Sequence, residues 1–519
     1  MAEEGFLLLA LPDPCLLRVL QCCAADDHRS LFSAARAHSK LHQAAVVALR
    51  SITLHVSQQQ QIDGVMVYLG KHHQHVDSFE LVGAAVPSTQ IRQLPEQLQL
   101  TSLQLERLFL QLQPAYGFQG VLGAAASLAA LKQLRLSICH LLGSGAAQVL
   151  AAALSQLPAG LEHLTICELC CGGQSVPFPA GMLQQLQHLT YLQLGEVDVV
   201  GPDEASPALQ PLQALTRLVG LKLDLQDKIT SSMLSGMQHL TRLELVDAVC
   251  LEPGALAGKT QMQHLCLVGC KIAGGAAGEA QLLSHLQPLQ QLTHLTVESL
   301  LEYGSNTPAS AYAALTASSK LQHLDISRCT LPAGVWQHMF PTSRQLPNLQ
   351  SLCTNYVEQP PGVHGLHPEG SRLVSCCPGL QTLKACSLQC IAELLASLQG
   401  LSGLQTLQCD WEYATSDIVQ AVCQLTGLRE LSVWDALRIR EMGLLLQLTQ
   451  LKQLTSLQYH VTRNFANEFV LSGEVHTVTV TQGSDSTEHA CILVLTQQHQ
   501  AGFGCCLWPQ TVGSVPFVC

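Results

Sequence analysis

The chain has 519 residues, of which 12% are charged and 4% are aromatic, and its formal net charge is −12. Such a composition predicts a core built from aliphatic layers rather than from aromatic anchors. The negative charge argues against nucleic acid and against an anionic membrane as partners, because both would require a basic surface.

The cysteines and the amino-terminal residues predict the compartment. The 22 cysteines are scattered without the compact spacing of a disulfide framework, which favours a reducing environment. The apolar run 6–11 follows Glu3 and Glu4 and is cut by Pro12, so it makes a poor signal peptide. No apolar stretch reaches the roughly 18 residues of a membrane span. We therefore expect a soluble, cytoplasmic protein, with the nucleus and the cytoskeleton as alternative locations.

Residues 1–46 predict a small helical module. Leu11 and Pro12 precede an apolar helical group made by Leu16, Leu17 and Leu20, and an acidic break and a basic segment follow. This order resembles the F-box. The resemblance implies that these five residues bind the adaptor subunit of an SCF-type cullin ubiquitin ligase. The alternative is a simple cap, because a stack of repeats must cover its exposed end layer.

One motif recurs through residues 47–460. Its clearest copy, residues 321–331, reads LQHLDISRCTL. Sixteen copies follow one another with central anchors 22 to 31 residues apart. The predicted central anchors are Ile52, Phe79, Leu108, Leu134, Leu164, Leu192, Leu221, Leu243, Leu265, Leu295, Leu324, Leu352, Leu383, Leu407, Leu431 and Leu457.

This motif resembles the leucine-rich repeat. The resemblance implies an α/β solenoid, curved, with parallel strands on the concave face and helices on the convex face. The longer repeats predict helices between the strands, and the 22-residue repeats predict shorter turns. Cys139, Cys270 and Cys329 occupy the ninth motif position, so we expect them to be buried structural thiols.

The repeat pattern stops after Leu457. Residues 475–480 and 491–495 are strand-like and are separated by a polar segment. These two runs predict a hairpin, and we assign residues 461–519 to a strand-rich carboxyl-terminal cap.

Three histidines form the first candidate binding site. His264, His294 and His323 each precede the central leucine of consecutive repeats. Because parallel strands lie about 4.8 Å apart, the rings should stack in one column, with Glu298 and Asp325 nearby. A pH-sensitive binding surface is one interpretation. The alternative is the repetition of a favoured Leu-x-His-Leu block.

Aromatic and acidic residues of two adjacent repeats form the second candidate site. Trp411, Tyr413 and Trp434 lie close in sequence to Asp410 and Glu430. Aromatic residues ringed by charge are enriched in binding hot spots, which predicts a partner-binding surface. The alternative is that the tryptophans pack under a loop.

The sequence contains no catalytic constellation above coincidence, so it predicts neither enzyme activity nor a metal or other cofactor. By resemblance, the expected function is the substrate-recognition subunit of an SCF-type ligase, which holds an unknown protein target on the concave face. The alternative is a non-catalytic leucine-rich-repeat scaffold, or a cytoskeletal or axonemal interaction protein, without a ligase role.

Overall fold

The structure is a computed structural model. The residues that it describes are 12–13, 15–16, 19–20, 40–41, 44–45, 51–56, 58–83, 90–91, 100–106, 109–111, 130–142, 154, 157–171, 174–175, 177–200, 209–225, 228–247, 250–300, 307–355, 357, 370–389, 392–411, 416–435, 447–462, 474–482 and 491–499.

The chain forms two compact units, Met1–Val249 and Cys250–Cys519. The division falls inside the predicted repeat array. The predicted domains 1–46, 47–460 and 461–519 therefore stay a prediction.

The first unit contains sixteen strands among its described residues. They are β1 (Ser51–Val56), β2 (Ser78–Gly83), β3 (Gln90–Ile91), β4 (Ser102–Glu106), β5 (Phe109–Gln111), β6 (Gln133–Ser137), β7 (His140–Leu142), β8 (His163–Cys167), β9 (Cys170–Cys171), β10 (Gln174–Ser175), β11 (Pro177–Pro179), β12 (Tyr191–Gly195), β13 (Asp198–Val200), β14 (Gly220–Asp224), β15 (Lys228–Ile229) and β16 (Arg242–Val246).

The main sheet of this unit is parallel throughout. Its strand order is β1, β2, β4, β6, β8, β12, β14 and β16, and each strand pairs in register with the next. Strands β3, β5, β7 and β9 form a second, shorter parallel ladder, and β10 pairs antiparallel with β9. Strands β11 and β13 pair with each other in parallel.

The predicted register of the third repeat is wrong. Leu103, not Leu108, pairs with Phe79 of β2 and with Leu134 of β6. Leu100 and Leu105 complete the buried motif, whereas residues 109–111 form β5 in the second ladder. The LxxLxL pattern occurs twice in this segment, at residues 100–105 and at residues 105–110, so two registers satisfy it equally well. Burial against the neighbouring repeats selects between them.

The helices described in the first unit differ in length and type from one repeat to the next. Helix α1 spans Gln59–His72 and α2 spans Ser231–Ser235, and 3-10 helices span His73–His75, Ala180–Gln185 and Gln210–Ala214. The 22-residue repeat between Leu221 and Leu243 carries only the five residues of α2. Two repeats of 28 and 29 residues carry 3-10 helices instead of the expected α-helices.

The second unit continues the same architecture. Its strands are β17 (Cys250–Leu251), β18 (His264–Val268), β19 (His294–Glu298), β20 (His323–Asp325), β21 (Ser351–Cys353), β22 (Thr382–Gln389), β23 (Thr406–Trp411), β24 (Glu430–Asp435), β25 (Ser456–Thr462), β26 (Glu474–Gln482) and β27 (Cys491–His499). Strands β18 to β25 pair in parallel in chain order. The expected hairpin is formed by β26 and β27, which add to β25 in antiparallel order.

The helices of the second unit are α3 (Gly275–Leu286), α4 (Val335–Met339), α5 (Gly370–Cys376), α6 (Ala392–Leu398) and α7 (Ser416–Cys423), with 3-10 helices at Pro253–Leu256, Ala309–Thr316 and Leu448–Gln450. Helix α3 lies in a 30-residue repeat and buries Leu282, Leu283 and Leu286 on one face. In the part of the chain that is described, no helix combines the length and the apolar character needed to cross a membrane.

Stacked leucines form the core of each unit. The central anchors of neighbouring repeats pair directly, as in Leu295 with Leu324 and Leu324 with Leu352. Leu324 is 1% exposed. Burying one leucine contributes about 1.5–3 kcal/mol, so the layers supply most of the stability.

The ninth-position cysteines are buried, as predicted. Cys139 and Cys329 are 0% exposed and Cys270 is 2% exposed. The thiol of Cys329 donates to the carbonyl oxygen of Val297 at 2.7 Å, and the thiol of Cys139 donates to that of Leu105 at 3.5 Å. These cysteines therefore hold backbone groups of the preceding repeat where the chain leaves the strand.

Candidate functional site on the exposed strand face

In the second unit, two rows of side chains lie on one face of the sheet formed by β18 to β25, opposite the face that carries the buried leucines. We call the residues just before the central anchors the outward row, and those just after them the middle row. The residues of the outward row, which pair from strand to strand, are His264, His294, His323, Ser351, Thr382, Thr406, Glu430 and Ser456. The middle row runs Cys266, Thr296, Asp325, Cys353, Lys384, Gln408, Ser432 and Gln458.

The structure places the three histidine rings in one column. Ring centroids of His264 and His294 are 5.2 Å apart, and those of His294 and His323 are 4.3 Å apart. All three side chains are half-buried. Their column follows directly from the register, because the same motif position in successive parallel strands is separated by one strand spacing.

The electrostatics of the column favour a neutral ring at His323. Burial, followed by the proximity of His264, lowers the pKa of His323. The lowered pKa keeps the His323 ring uncharged at neutral pH. In the neighbouring strand, His294 Nδ1 lies 2.9 Å from the hydroxyl of Thr293.

The neighbouring carboxylates are engaged elsewhere. Asp325 Oδ1 accepts hydrogen bonds from the backbone N–H and the hydroxyl of Ser327, at 2.9 and 2.6 Å. Glu298 forms a 3.5 Å ion pair with Arg328. In these contacts, the partner of Asp325 is Ser327 and the partner of Glu298 is Arg328.

A thiol continues the polar surface beside the histidines. Cys353 Sγ lies 3.1 Å from the hydroxyl of Ser327. Burial and then the charge of Asp325 raise the pKa of this thiol, which keeps it protonated and a poor nucleophile. Each cysteine whose side chain is described is a free thiol. No set of three or more histidine, cysteine or acidic residues within the described residues could hold a metal ion.

The second predicted site is only partly described. Register pairs Asp410 with Trp434 and Trp411 with Asp435, so the two tryptophans occupy different rows of the sheet. Glu430 is exposed, and its Oε2 accepts a hydrogen bond from the Thr406 hydroxyl at 3.3 Å. Tyr413 lies outside the described residues. A partner-binding role for these residues stays a prediction.

The predicted adaptor-binding residues divide into two groups. Pro12 is exposed, whereas Leu16 and Leu20 are 0% and 2% exposed. Leu11 and Leu17 lie outside the described residues. Leu16 and Leu20 are therefore part of the local core. An adaptor that binds this segment would contact its exposed residues, such as Pro12.

Sequence reasoning missed a charged cluster in the first unit. Glu244 is 7% exposed and forms ion pairs with Arg242 and with Lys222, the latter at 3.3 Å. On the same face, the ring of Tyr191 covers Gly220, where a Cβ would lie 2.6 Å from Tyr191 Cδ2. The signal was present, because Lys222 and Glu244 share the middle-row position of consecutive repeats.

Comparisons with known proteins name no family. No protein-family model matches the chain, and no curated protein matches it. Among solved structures, an internalin from Listeria monocytogenes is similar at 17% identity and a TM-score of 0.40, covering 66% of this chain and 82% of that chain. The repeated sequence and the register of the strands thus describe an α/β protein with long parallel sheets, consistent with a leucine-rich-repeat solenoid.

Proposed function

We propose that the chain is a non-catalytic repeat protein that binds another protein on the outward and middle rows of its second unit. The observation that carries this proposal is that buried leucines alternate with partly exposed side chains along each strand. Leucines such as Leu295 and Leu324 are buried, while the intervening His294, Thr296 and His323 remain half-exposed. A rigid leucine layer that displays side chains at fixed spacing is a suitable binding platform.

The finer proposal is that the chain is the substrate-recognition subunit of an SCF-type cullin ubiquitin ligase. The F-box-like order of residues 11–45 supports it, and so do the exposed Pro12 and the 37% exposure of Val19. In this role the chain would supply proximity, and other subunits would supply the chemistry. A cytoplasmic location belongs to the same proposal.

Binding of the purified adaptor subunit tests the ligase role. The informative variant is Pro12→Asp with Val19→Asp, because both side chains are exposed and the change leaves the buried Leu16 and Leu20 intact. Val67→Asp is the matched control, since Val67 is 59% exposed on α1, outside the segment. Loss of adaptor binding in the double variant alone supports the proposal. Binding retained in the double variant removes this interface, and no binding by the wild-type chain removes the ligase role.

A scaffold without a ligase role is the second candidate. The burial of Leu16, Leu20, Leu41 and Ala45 favours it, because an end cap needs only a buried apolar face. Cytoskeletal and axonemal assemblies are the partners that we would examine first. This candidate predicts no adaptor binding but an unchanged requirement for the outward row of the second unit.

A further inference from the structure

A polar cavity opens in the second unit at the edge where strands β23, β24 and β25 begin. Its volume is about 330 Å³. The walls come from residues 399–405, 424–429 and 453, which are the turns that precede these strands in three consecutive repeats. The volume lies at the lower end of the range of ligand pockets, which is roughly 300–1,000 Å³.

Backbone contacts fix the cavity walls. The backbone N–H of Arg429 donates to the carbonyl oxygen of Gln405 at 2.7 Å, and that of Thr455 donates to the carbonyl oxygen of Arg429 at 2.8 Å. Gly427 lets the turns approach closely, because a Cβ there would lie 3.1 Å from the Ser402 carbonyl oxygen. The backbone of the three turns that carry the polar side chains is therefore held at repeat spacing.

Hydrogen-bond donors dominate the lining. Two hydroxyls, from Ser402 and Thr426, and one guanidinium, from Arg429, line the cavity together with four primary amides. The amides belong to Gln399, Gln405, Gln424 and Gln453. The lining contains neither an acidic residue nor an aromatic ring. A nucleobase would have no ring to stack on, and an anion would meet no repulsion from the lining.

The charge of Arg429 is available to a ligand. Its side chain is exposed, and it makes no side-chain hydrogen bond or ion pair with any part of the chain that the structure describes. The adjacent Glu430 instead accepts the hydrogen bond from the Thr406 hydroxyl. A fork of guanidinium donors without a carboxylate partner suits bidentate recognition of a carboxylate.

We propose that this cavity is a binding site for a carboxylate group, with Arg429 as its charged anchor and the glutamine amides and hydroxyls as its neutral donors. One guanidinium balances one carboxylate charge. A phosphate carries about −1.5 to −2 at neutral pH and is usually held by several cations or by a helix amino terminus. The proposal is independent of the proposed function, because it uses neither the outward row nor the amino-terminal segment.

Ligand-observed saturation-transfer NMR on the full chain tests the proposal. The probes are butyrate, for a small organic acid with a single carboxylate, and N-acetyl-tetraglycine, for a peptide carboxyl terminus, each compared with its neutral amide. We expect saturable binding of at least one carboxylate and none of its amide. Arg429→Gln should weaken this binding at least about tenfold, because it removes a charge-assisted hydrogen-bonded pair. Arg429→Lys should lie between, because it keeps the charge but loses the fork.

Lys452→Gln is the matched control. Lys452 is exposed and adjacent to the cavity residue Gln453 but does not line the cavity, so the same loss of charge there should change affinity less than about twofold. Equal binding of the amides, equal effects of the two variants, or no saturable binding of either carboxylate would overturn the proposal. Tighter binding of inorganic phosphate than of both carboxylates would overturn it as well. A melting curve of Arg429→Gln that matches the control verifies that both variants are folded.

Discussion

The exposed strand faces of the two units arrange their ionisable side chains in opposite ways. In the first unit, the nearly buried carboxylate of Glu244 lies between the cations of Lys222 and Arg242. In the second unit, three like groups, His264, His294 and His323, stack on one another. The first arrangement joins opposite charges in ion pairs, whereas the second brings together three ionisable rings of one kind.

This difference shows that the buried leucines leave the exposed positions free to vary. Leu243 and Leu324 occupy equivalent anchors and are equally inaccessible, at 0% and 1% exposure. The carboxylates that follow them have different partners, because Glu244 forms ion pairs with Lys222 and Arg242, whereas Asp325 accepts hydrogen bonds from Ser327. Stability and binding are therefore separable along each strand, and the following substitutions test that separation.

The largest effect should come from the leucine layer. Leu324→Asp puts a carboxylate at a site that is 1% exposed between two leucines, so we expect a loss of more than about 4 kcal/mol in the free energy of unfolding. His323→Asp, one residue earlier and on the other face, should cost less than about 1 kcal/mol. Urea unfolding followed by circular dichroism compares them. Similar losses would show that the two faces do not differ as described.

The charged cluster of the first unit should give the next largest effect. Glu244→Gln leaves Lys222 and Arg242 without their shared carboxylate, so we expect a loss of about 1–2 kcal/mol in the free energy of unfolding. Glu80→Gln is the control at the same motif position, where the carboxylate accepts only a 3.1 Å hydrogen bond from Thr53 among the contacts described. Chemical denaturation of both variants decides the point, and equal losses would argue against a special role for the cluster.

Acidification should lower the stability of the protein through the histidine column of the second unit. The folded-state pKa of His323 is lowered, so the unfolded chain binds more protons and stability falls as pH drops below about 6.5. His294 and His264 add like charge when protonated, while Asp325, Glu298 and Arg328 are the charged groups nearby. We expect His323→Gln to lose less melting temperature than the wild type between about pH 7.5 and pH 5. An identical pH dependence of both proteins would contradict the assignment.

The turns after the strands should give the smallest effects. Glu196 in the first unit and Gly269 in the second both have positive φ, 50° and 63°, and both donate to the next repeat. Glu196→Gly should gain about 0.5 kcal/mol, because it relieves the strained backbone. It also removes an acidic neighbour that, after burial and Asp247, raises the pKa of Asp224. Gly269→Ala should lose about 1 kcal/mol. Thermal unfolding measures both changes, and the same sign for both would exclude this account of the turns.

The fold could be predicted from the sequence wherever one register alone buries the leucines. Around Leu134, Leu164 and Leu324 this condition holds, and the strands lie as expected. At residues 100–110 two registers bury equivalent leucines, and only the neighbouring strands choose Leu103. The histidine column could be predicted because it follows from motif position. The burial of Leu16 and Leu20 could not, because an apolar helical face has the same pattern whether it packs internally or binds a partner.

The cavity at Arg429 was also beyond the sequence. Its glutamines, hydroxyls and guanidinium lie in three separate turns, and each is an ordinary exposed polar residue taken alone. These side chains line one cavity only because consecutive repeats place the three turns next to one another. Sequence periodicity locates the strands more readily than it locates what their connecting turns enclose.

Capture of partner proteins by the wild-type chain and by one variant tests directly whether the outward row of the second unit binds them. The variant carries His264→Ser, His294→Thr and His323→Ser, which installs side chains that the next repeats already carry in the outward row. We expect the variant to lose the proteins that the wild-type chain binds specifically, as quantified by mass spectrometry. Its melting temperature at neutral pH should change by only a few degrees. An unchanged set of bound proteins on a folded variant would contradict the claim that the outward row carries the binding function.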